Sequence, residues 1–160
     1  MIRSIVVVLA LAILMPPIFA AHARAQNGDV AVIVNPNNSV TNLSLAELRR
    51  IFAGERHVWP GGAQVKLIVR APGSHERGVL LRLMGMSESE YKQYWTAQIF
   101  RGTADVEPLS IPSFGMVKEA AVAFPGAIGL VDAHDLKPGM YLKVLKIDQH
   151  MPGEAGYPLH

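Results

Sequence analysis

The 160-residue sequence contains no cysteine, and this absence excludes several kinds of protein. There can be no disulfide, no lipid on an N-terminal cysteine and no thiolate ligand for a metal. The histidines show no HxH, HxxxH or HExxH spacing, so we expect neither a metal site nor a cofactor. No nucleophile, base and orienting acid can be placed together, because Ser74 and His75 are adjacent and do not face each other. The chain is therefore not expected to be an enzyme.

Long hydrophobic runs are also scarce, with one exception at the N-terminus. The first four residues carry one arginine, Ile5–Ala21 is nearly all apolar, and an Ala-Arg-Ala sequence ends at Ala25. This order is typical of a secretory signal peptide, so we predict a leader over residues 1–25 and export to the periplasm. An uncleaved membrane anchor is the alternative, but the run is at the short limit for a span and contains two prolines.

No run of basic residues follows the predicted leader. Cleavage would remove Arg3 and Arg24, and basic and acidic residues would then be equal in number at 13 each. The composition therefore gives no support for binding to nucleic acid or to an anionic membrane. Residues 26–160 have the length of one ordinary domain with a single core, and no membrane anchor is expected after cleavage.

Apolar, β-branched runs alternate with helical patterns along this domain. Strands are predicted over four of these runs: Val30–Val34, Val65–Val69, Ala127–Val131 and Tyr141–Ile147. Helices are predicted after four serines that can cap them: Ser44, Ser74, Ser87 and Ser113. Glu47 and Glu90 complete capping boxes at two of the helices. Continuous apolar strands indicate a parallel or mostly parallel sheet covered on both faces, so we predict a three-layer α/β domain.

Two segments lack a regular pattern. Thr103–Pro112 is predicted to be a long irregular stretch, and residues 149–160 are predicted to form a loose C-terminal tail. The domain proper is therefore predicted to cover residues 26–148.

One turn of the predicted sheet has residues that can hold an anion. The strand Val65–Val69 leads to Arg70, a Pro-Gly turn follows, and Ser74 opens the next helix. Ligands of such sheets bind beyond the carboxyl ends of strands, and backbone N–H groups at a helix N-terminus attract anions. The structural alternative is that Ser74 only caps its helix while Arg70 pairs with Glu76. The local sequence leaves both interpretations open.

Four segments follow one another in an order typical of a known family. They are LSLAELRRIFAGERHVWPGG (43–62), IVRAPGSHERG (68–78), YWTAQIFRG (94–102) and FPGAIGLV (124–131). Together they resemble the second lobe of the phosphate-binding protein of ABC transporters, within the type II periplasmic binding protein fold. The resemblance implies a three-layer αβα sandwich, an oxyanion such as inorganic phosphate as ligand, and an ABC permease or a membrane sensor as partner.

The resemblance also implies an anion site at the Pro-Gly turn. The candidate anion-binding residues lie close together in the sequence: Arg70, Gly73, Ser74, His75, Glu76 and Arg77. Arg70, Gly73 and Ser74 match the family's motif, whereas His75 and Glu76 stand where the family has glycine and threonine. The Glu76 carboxylate would repel an anion unless Arg70 or Arg77 neutralises it, so weak binding is expected. His75 either donates to the anion or is merely solvated.

The resemblance covers one lobe of a two-lobed family. The other lobe would precede Val30, where only the predicted signal peptide stands, so we expect half of a binding site. The alternative is a lobe without ligand that serves as an interaction or sensory module, docking on a membrane sensor, a transporter or a second copy. An exposed apolar patch around the cleft would favour that alternative. The aromatic residues Trp59, Tyr94, Trp95 and Phe100 are expected to pack in the core.

Overall fold

The computed structural model describes residues 28–160, and the predicted signal peptide lies outside these residues. The helices are α1 (Leu45–Phe52), α2 (His75–Met84), α3 (Glu88–Phe100) and α4 (Phe114–Ala123). The strands are β1 (Val30–Val34), β2 (Asn42–Leu43), β3 (Lys66–Arg70), β4 (Leu109–Ile111), β5 (Ala127–Asp132), β6 (Lys143–Val144) and β7 (Lys146–Ile147). None of the described helices is long and apolar enough to span a membrane.

A mixed five-stranded sheet lies at the centre of the fold, with the order β4-β3-β5-β1-β6. β3 is parallel to both β4 and β5, whereas β1 is antiparallel to β5 and to β6. Four strands therefore point one way and β1 runs against them. The three apolar strands expected in the sheet are all present in it. The sequence did not reveal the direction of β1, because a strand buried on both faces is apolar whichever way it runs.

Helices cover both faces of this sheet. One face carries the larger core, in which Val32 of β1 packs with residues of α1, α2 and α3 such as Leu48 and Trp95. On the opposite face, Ile33 of β1 packs with Val117 of α4. Alternate residues of one strand thus enter different cores, as the period of two requires. The predicted three-layer αβα architecture is confirmed.

The helices begin where the sequence predicted. Ser44 and Glu47 form a capping box at α1, and Ser87 and Glu90 form the second one at α3. In each box the glutamate accepts a hydrogen bond from the backbone N–H of the capping serine, at 2.8 and 2.7 Å. Helix α2 ends at Gly85, which has a φ of +66°. Capping is a local interaction, and this is why the sequence alone could place these helix ends.

Two predictions about the strands need correction. The predicted strand Tyr141–Ile147 consists of the short strands β6 and β7, and β7 pairs in parallel with β2 outside the main sheet. Between them, Leu145 is fully buried and its N–H donates to the carbonyl oxygen of Val32 at 2.9 Å. The predicted irregular stretch Thr103–Pro112 contains the edge strand β4. This strand has three residues, too few for a periodic pattern.

The C-terminal tail is not loose, so that prediction was wrong. Tyr157 and Leu159 are buried in the larger core. The Tyr157 hydroxyl donates to the carbonyl oxygen of Val30 at 2.7 Å, and the Val30 N–H donates to Leu159 at 2.9 Å. These two buried residues are separated by a proline and fit neither a helical nor a strand periodicity. The sequence pattern therefore did not predict their burial.

Candidate functional site

The predicted turn lies at the carboxyl end of β3. Arg70 is the last residue of that strand, and Gly73 has a φ of +87°, a conformation that strains residues with a Cβ atom. Ser74 caps α2, and its hydroxyl accepts a hydrogen bond from the backbone N–H of Arg77 at 3.1 Å. The turn therefore occupies the edge of the sheet at which ligands of α/β proteins bind.

Arg70 is paired with Glu76 within this turn. The Arg70 Nε atom donates to Glu76 Oε1 at 2.9 Å, and the Glu76 side chain is only 4% exposed. The Nη1 atom of Arg70 lies 3.5 Å from the carbonyl oxygen of Ile111 in β4. The pairing that the sequence offered as the structural alternative is thus present. Its consequence is that the charge on Arg70 is already neutralised.

The Arg77 side chain points away from the turn into the contact between α2 and α3. Its Nη2 and Nε atoms donate to the two carboxylate oxygens of Glu88 at 2.8 and 3.0 Å. Its guanidinium lies 4.0 Å from the centre of the Tyr91 ring. The hydrogen bonds from Arg77 lower the pKa of Glu88, against the opposing effect of burial. Only the backbone N–H of Arg77 takes part in the turn.

His75 faces a residue that sequence reasoning missed. Its Nδ1 atom lies 2.9 Å from Oδ1 of Asp132, the last residue of β5. The two residues are far apart in the sequence and meet because β5 lies beside β3 in the sheet. Asp132, His134 and Asp135 also place one potential metal ligand each within 4.8 Å of one another, a grouping that histidine spacing does not reveal. The His134 Nε2 atom already lies 3.1 Å from Asp135 Oδ1, and this contact accounts for much of that grouping.

Both arginines of the candidate site are therefore neutralised by a carboxylate partner. Arg70 faces Glu76 and Arg77 faces Glu88, while the His75 ring lies beside Asp132. Hydrogen-bond donors remain, because no residue in 28–160 accepts from the backbone N–H groups of His75 and Glu76. The Nη2 atom of Arg70 likewise has no acceptor within that part of the chain. The turn can offer an anion hydrogen bonds but little uncompensated positive charge.

Burial beside this site raises the pKa of Tyr91 to about 12, although Arg77 acts in the opposite direction. As the pH rises above 10, the ordinary pKa of tyrosine, the phenol therefore ionises in the unfolded chain before it ionises in the folded one. We expect the free energy of unfolding to fall between about pH 10 and pH 12, and urea unfolding at a series of pH values will measure this. Tyr91→Phe should reduce the fall, while Tyr141→Phe at an exposed position should not. Equal pH profiles for the two variants would contradict the expectation.

Solved structures share this fold. A Clostridium perfringens protein described as a phosphate ABC transporter substrate-binding protein with bound phosphate has a TM-score of 0.61 and 20% identity, over 78% of this chain and 46% of its own. An ABC-type phosphate transport receptor from Vibrio cholerae has a TM-score of 0.60 and 22% identity, over 80% and 53%. PstS from Borrelia burgdorferi has a TM-score of 0.59 and 19% identity, over 78% and 49%.

These comparisons establish the fold. The chain spans about half the length of each of these three neighbours, and the identities of 19–22% are low. No protein-family model and no curated protein sequence matches the chain significantly. The chain therefore has the fold of part of a phosphate-binding protein, as the sequence resemblance predicted.

Proposed function

We propose that this chain is a periplasmic, phosphate-type substrate-binding-like protein that binds an oxyanion such as phosphate weakly, through a half-site. The observation that carries the proposal is the turn at the carboxyl end of β3, where the N–H groups of His75 and Glu76 have no acceptor within residues 28–160. The Ser74 hydroxyl and the remaining Nη2 of Arg70 stand beside them as donors. The name of the Clostridium perfringens neighbour, which includes bound phosphate, supports this choice of ligand.

Weak binding follows from the ion pairs. An anion at this turn would lie close to the Glu76 carboxylate, and this like-charge repulsion opposes binding. The Arg70 Nε atom can donate to the anion only if its hydrogen bond to Glu76 breaks. Breaking that bond would leave the buried Glu76 carboxylate without its partner, and this costs free energy. The anion must therefore be held mainly by neutral donors of one lobe.

The role that fits such a site is solute capture or sensing, with an ABC permease or a membrane sensor as partner. Export through the predicted signal peptide would bring the chain to the periplasm. The described neighbours are named as binding or transport proteins, which agrees with binding rather than catalysis as the activity of this chain.

A second candidate function is an interaction module that has lost its ligand. One observation favours it: both arginine side chains predicted for the site already have a carboxylate partner. In that case the turn would be a structural element, and the protein would act through its surface on a membrane sensor, a transporter or another copy.

A thermal melting titration with phosphate, against sodium chloride at equal ionic strength, tests the proposal. An anion at 100 times its Kd would stabilise the protein by about 2.7 kcal/mol, so a weak site raises the melting temperature at high phosphate. Ser74→Ala should cost about 1 kcal/mol as a lost cap and should also reduce the phosphate-dependent rise. Ser87→Ala removes the equivalent cap of α3 away from the turn, so it should lose similar stability and keep the rise.

A third variant tests the role of the acidic residue. Glu76→Thr removes the buried carboxylate and releases Arg70, so the phosphate-dependent rise should become larger than in the wild type. For each protein, the melting temperature in phosphate is compared with that in chloride. If phosphate raises it neither for the wild type nor for Glu76→Thr, oxyanion binding is refuted. The interaction module is then the better proposal.

A further inference from the structure

Two features of the surface take no part in the proposed oxyanion site. One is Phe100, which closes α3 and is 92% exposed. The expectation that the aromatic residues pack in the core therefore holds for Trp59 and Trp95 but is wrong for Phe100. The other feature is a group of side chains beyond the end of β5 that can coordinate a metal ion: Asp132, His134 and Asp135.

The fold holds this group together at the carboxyl end of β5. Asp132 is the last residue of that strand, and His134 and Asp135 belong to the short 3-10 turn Ala133–Asp135 that follows it. Each of the three side chains places one ligand atom within 4.8 Å of the others. The turn is anchored, because the Ala133 N–H donates to the carbonyl oxygen of Asp29 at 2.9 Å and the Ala133 side chain packs against the smaller core.

The spacing of the ligand atoms matches that of a zinc site. Zn²⁺ binds histidine nitrogen and carboxylate oxygen at about 2.0–2.2 Å, so two ligand atoms of a tetrahedral site lie about 3.3 Å apart. The His134 Nε2 atom and Asp135 Oδ1 are 3.1 Å apart, which is close to that separation. Contact between these two sequence neighbours does not account for Asp132, which comes from the strand and lies within reach of the same ion.

The two carboxylates of the group have no basic side chain to balance them. No arginine or lysine within residues 28–160 forms an ion pair with Asp132 or Asp135, in contrast to the two glutamates beside the neighbouring turn. The Lys137 Nζ atom donates instead to the carbonyl oxygen of His134 at 3.0 Å. A bound dication would offset the repulsion between the carboxylates. Because one ligand is an imidazole nitrogen, zinc is favoured over calcium and magnesium.

We propose that Asp132, His134 and Asp135 bind a zinc ion, with water completing its coordination. Three protein ligands and an open position are typical of zinc sites that keep a water molecule. His75 supports the site from outside, because its Nδ1 atom lies 2.9 Å from Asp132 Oδ1. A histidine N–H that donates to this oxygen orients the carboxylate toward the metal. The proposal does not depend on oxyanion binding, since its three ligands lie outside the turn at residues 70–77.

Isothermal titration calorimetry with zinc chloride, on the exported chain without a histidine tag, tests the proposal. The wild type should bind one zinc ion per chain. His134→Ala removes the nitrogen ligand and Asp135→Asn removes a carboxylate, so each should weaken zinc binding roughly tenfold or more. His57→Ala removes an exposed histidine outside the group and should leave the affinity unchanged. Magnesium chloride should give no comparable binding, because magnesium prefers oxygen ligands.

Two further variants test the supporting role of His75. His75→Ala removes the contact with Asp132 and should weaken zinc binding roughly tenfold while the stoichiometry stays the same. His75→Asn keeps a side-chain donor and should lose less affinity. A wild type that binds no zinc, or that binds it as tightly after His134→Ala and Asp135→Asn, overturns the proposal. An equal loss in His57→Ala also overturns it, since zinc would then adsorb to surface histidines in general.

Discussion

Arg70→Ala should lower the free energy of unfolding by about 3–5 kcal/mol, because it leaves a buried carboxylate without its partner. The carboxylate belongs to Glu76, which accepts from Arg70 Nε at 2.9 Å and is almost completely shielded from water. Its charge must then stay buried without a partner, and this costs free energy. Urea unfolding of the wild type and the variant at neutral pH will measure the loss.

Two controls separate burial from the mere loss of an ion pair. Arg50→Ala breaks the ion pair with Glu55 at 3.1 Å, whose partners are both well exposed, and should cost about 1 kcal/mol or less. Arg70→Met/Glu76→Leu removes both charges of the buried pair and should recover most of the stability, since no unpaired charge remains. If Arg70→Ala costs no more than Arg50→Ala, then Glu76 reaches water and does not depend on Arg70.

The buried pair also explains why the sequence located the turn but did not decide whether the turn binds an anion. The strand ending at Arg70 and the helix opening at Ser74 follow from local patterns, and the structure has both. The spacing of Arg70 and Glu76 allowed either an anion site or an ion pair. The choice between them depends on how deeply Glu76 is buried, and that depth is set by packing across the domain.

Contacts between distant segments were the part that the sequence did not reveal. Asp132 reaches His75 only because β5 is inserted between β3 and β1. Arg77 reaches Glu88 because α2 and α3 pack together, and Tyr157 reaches Val30 from the far end of the chain. Each contact joins residues of different elements, so no periodicity or capping pattern within one element predicts it.

The segment FPGAIGLV, one of the four that carried the family resemblance, has a physical explanation in the fold. A Cβ atom on Gly126 would lie 1.6 Å from the backbone carbonyl oxygen of Gln64. The Gly126 carbonyl oxygen also accepts from the Trp59 ring Nε1 and from the Lys66 N–H, both at 2.9 Å. The start of β5 therefore needs a glycine in order to approach the chain that enters β3.

Gly126→Ala should consequently be among the most damaging single substitutions in this chain, with a loss of about 4 kcal/mol or more in the free energy of unfolding. The added methyl group meets backbone, which cannot move aside as a flexible side chain can. Relief requires β5 to separate from the segment before β3, and this separation breaks the two hydrogen bonds to the Gly126 carbonyl. Urea unfolding will measure the loss, and the quenching or red shift of tryptophan fluorescence from Trp59 should accompany it.

Two other glycines provide a graded control for this prediction. A Cβ atom on Gly115 of α4 meets nothing within 4 Å, so Gly115→Ala should stabilise the helix by about 0.5–1 kcal/mol. A Cβ atom on Gly129 would lie 3.3 Å from the Ile68 carbonyl oxygen, a contact that small shifts can relieve, so Gly129→Ala should fall between the other two. The order of stability should therefore follow the distance from the added Cβ atom to the neighbouring backbone. If Gly126→Ala is as stable as Gly115→Ala, the added methyl group finds room beside Gln64. The close approach between β5 and Gln64 then does not require a glycine at position 126.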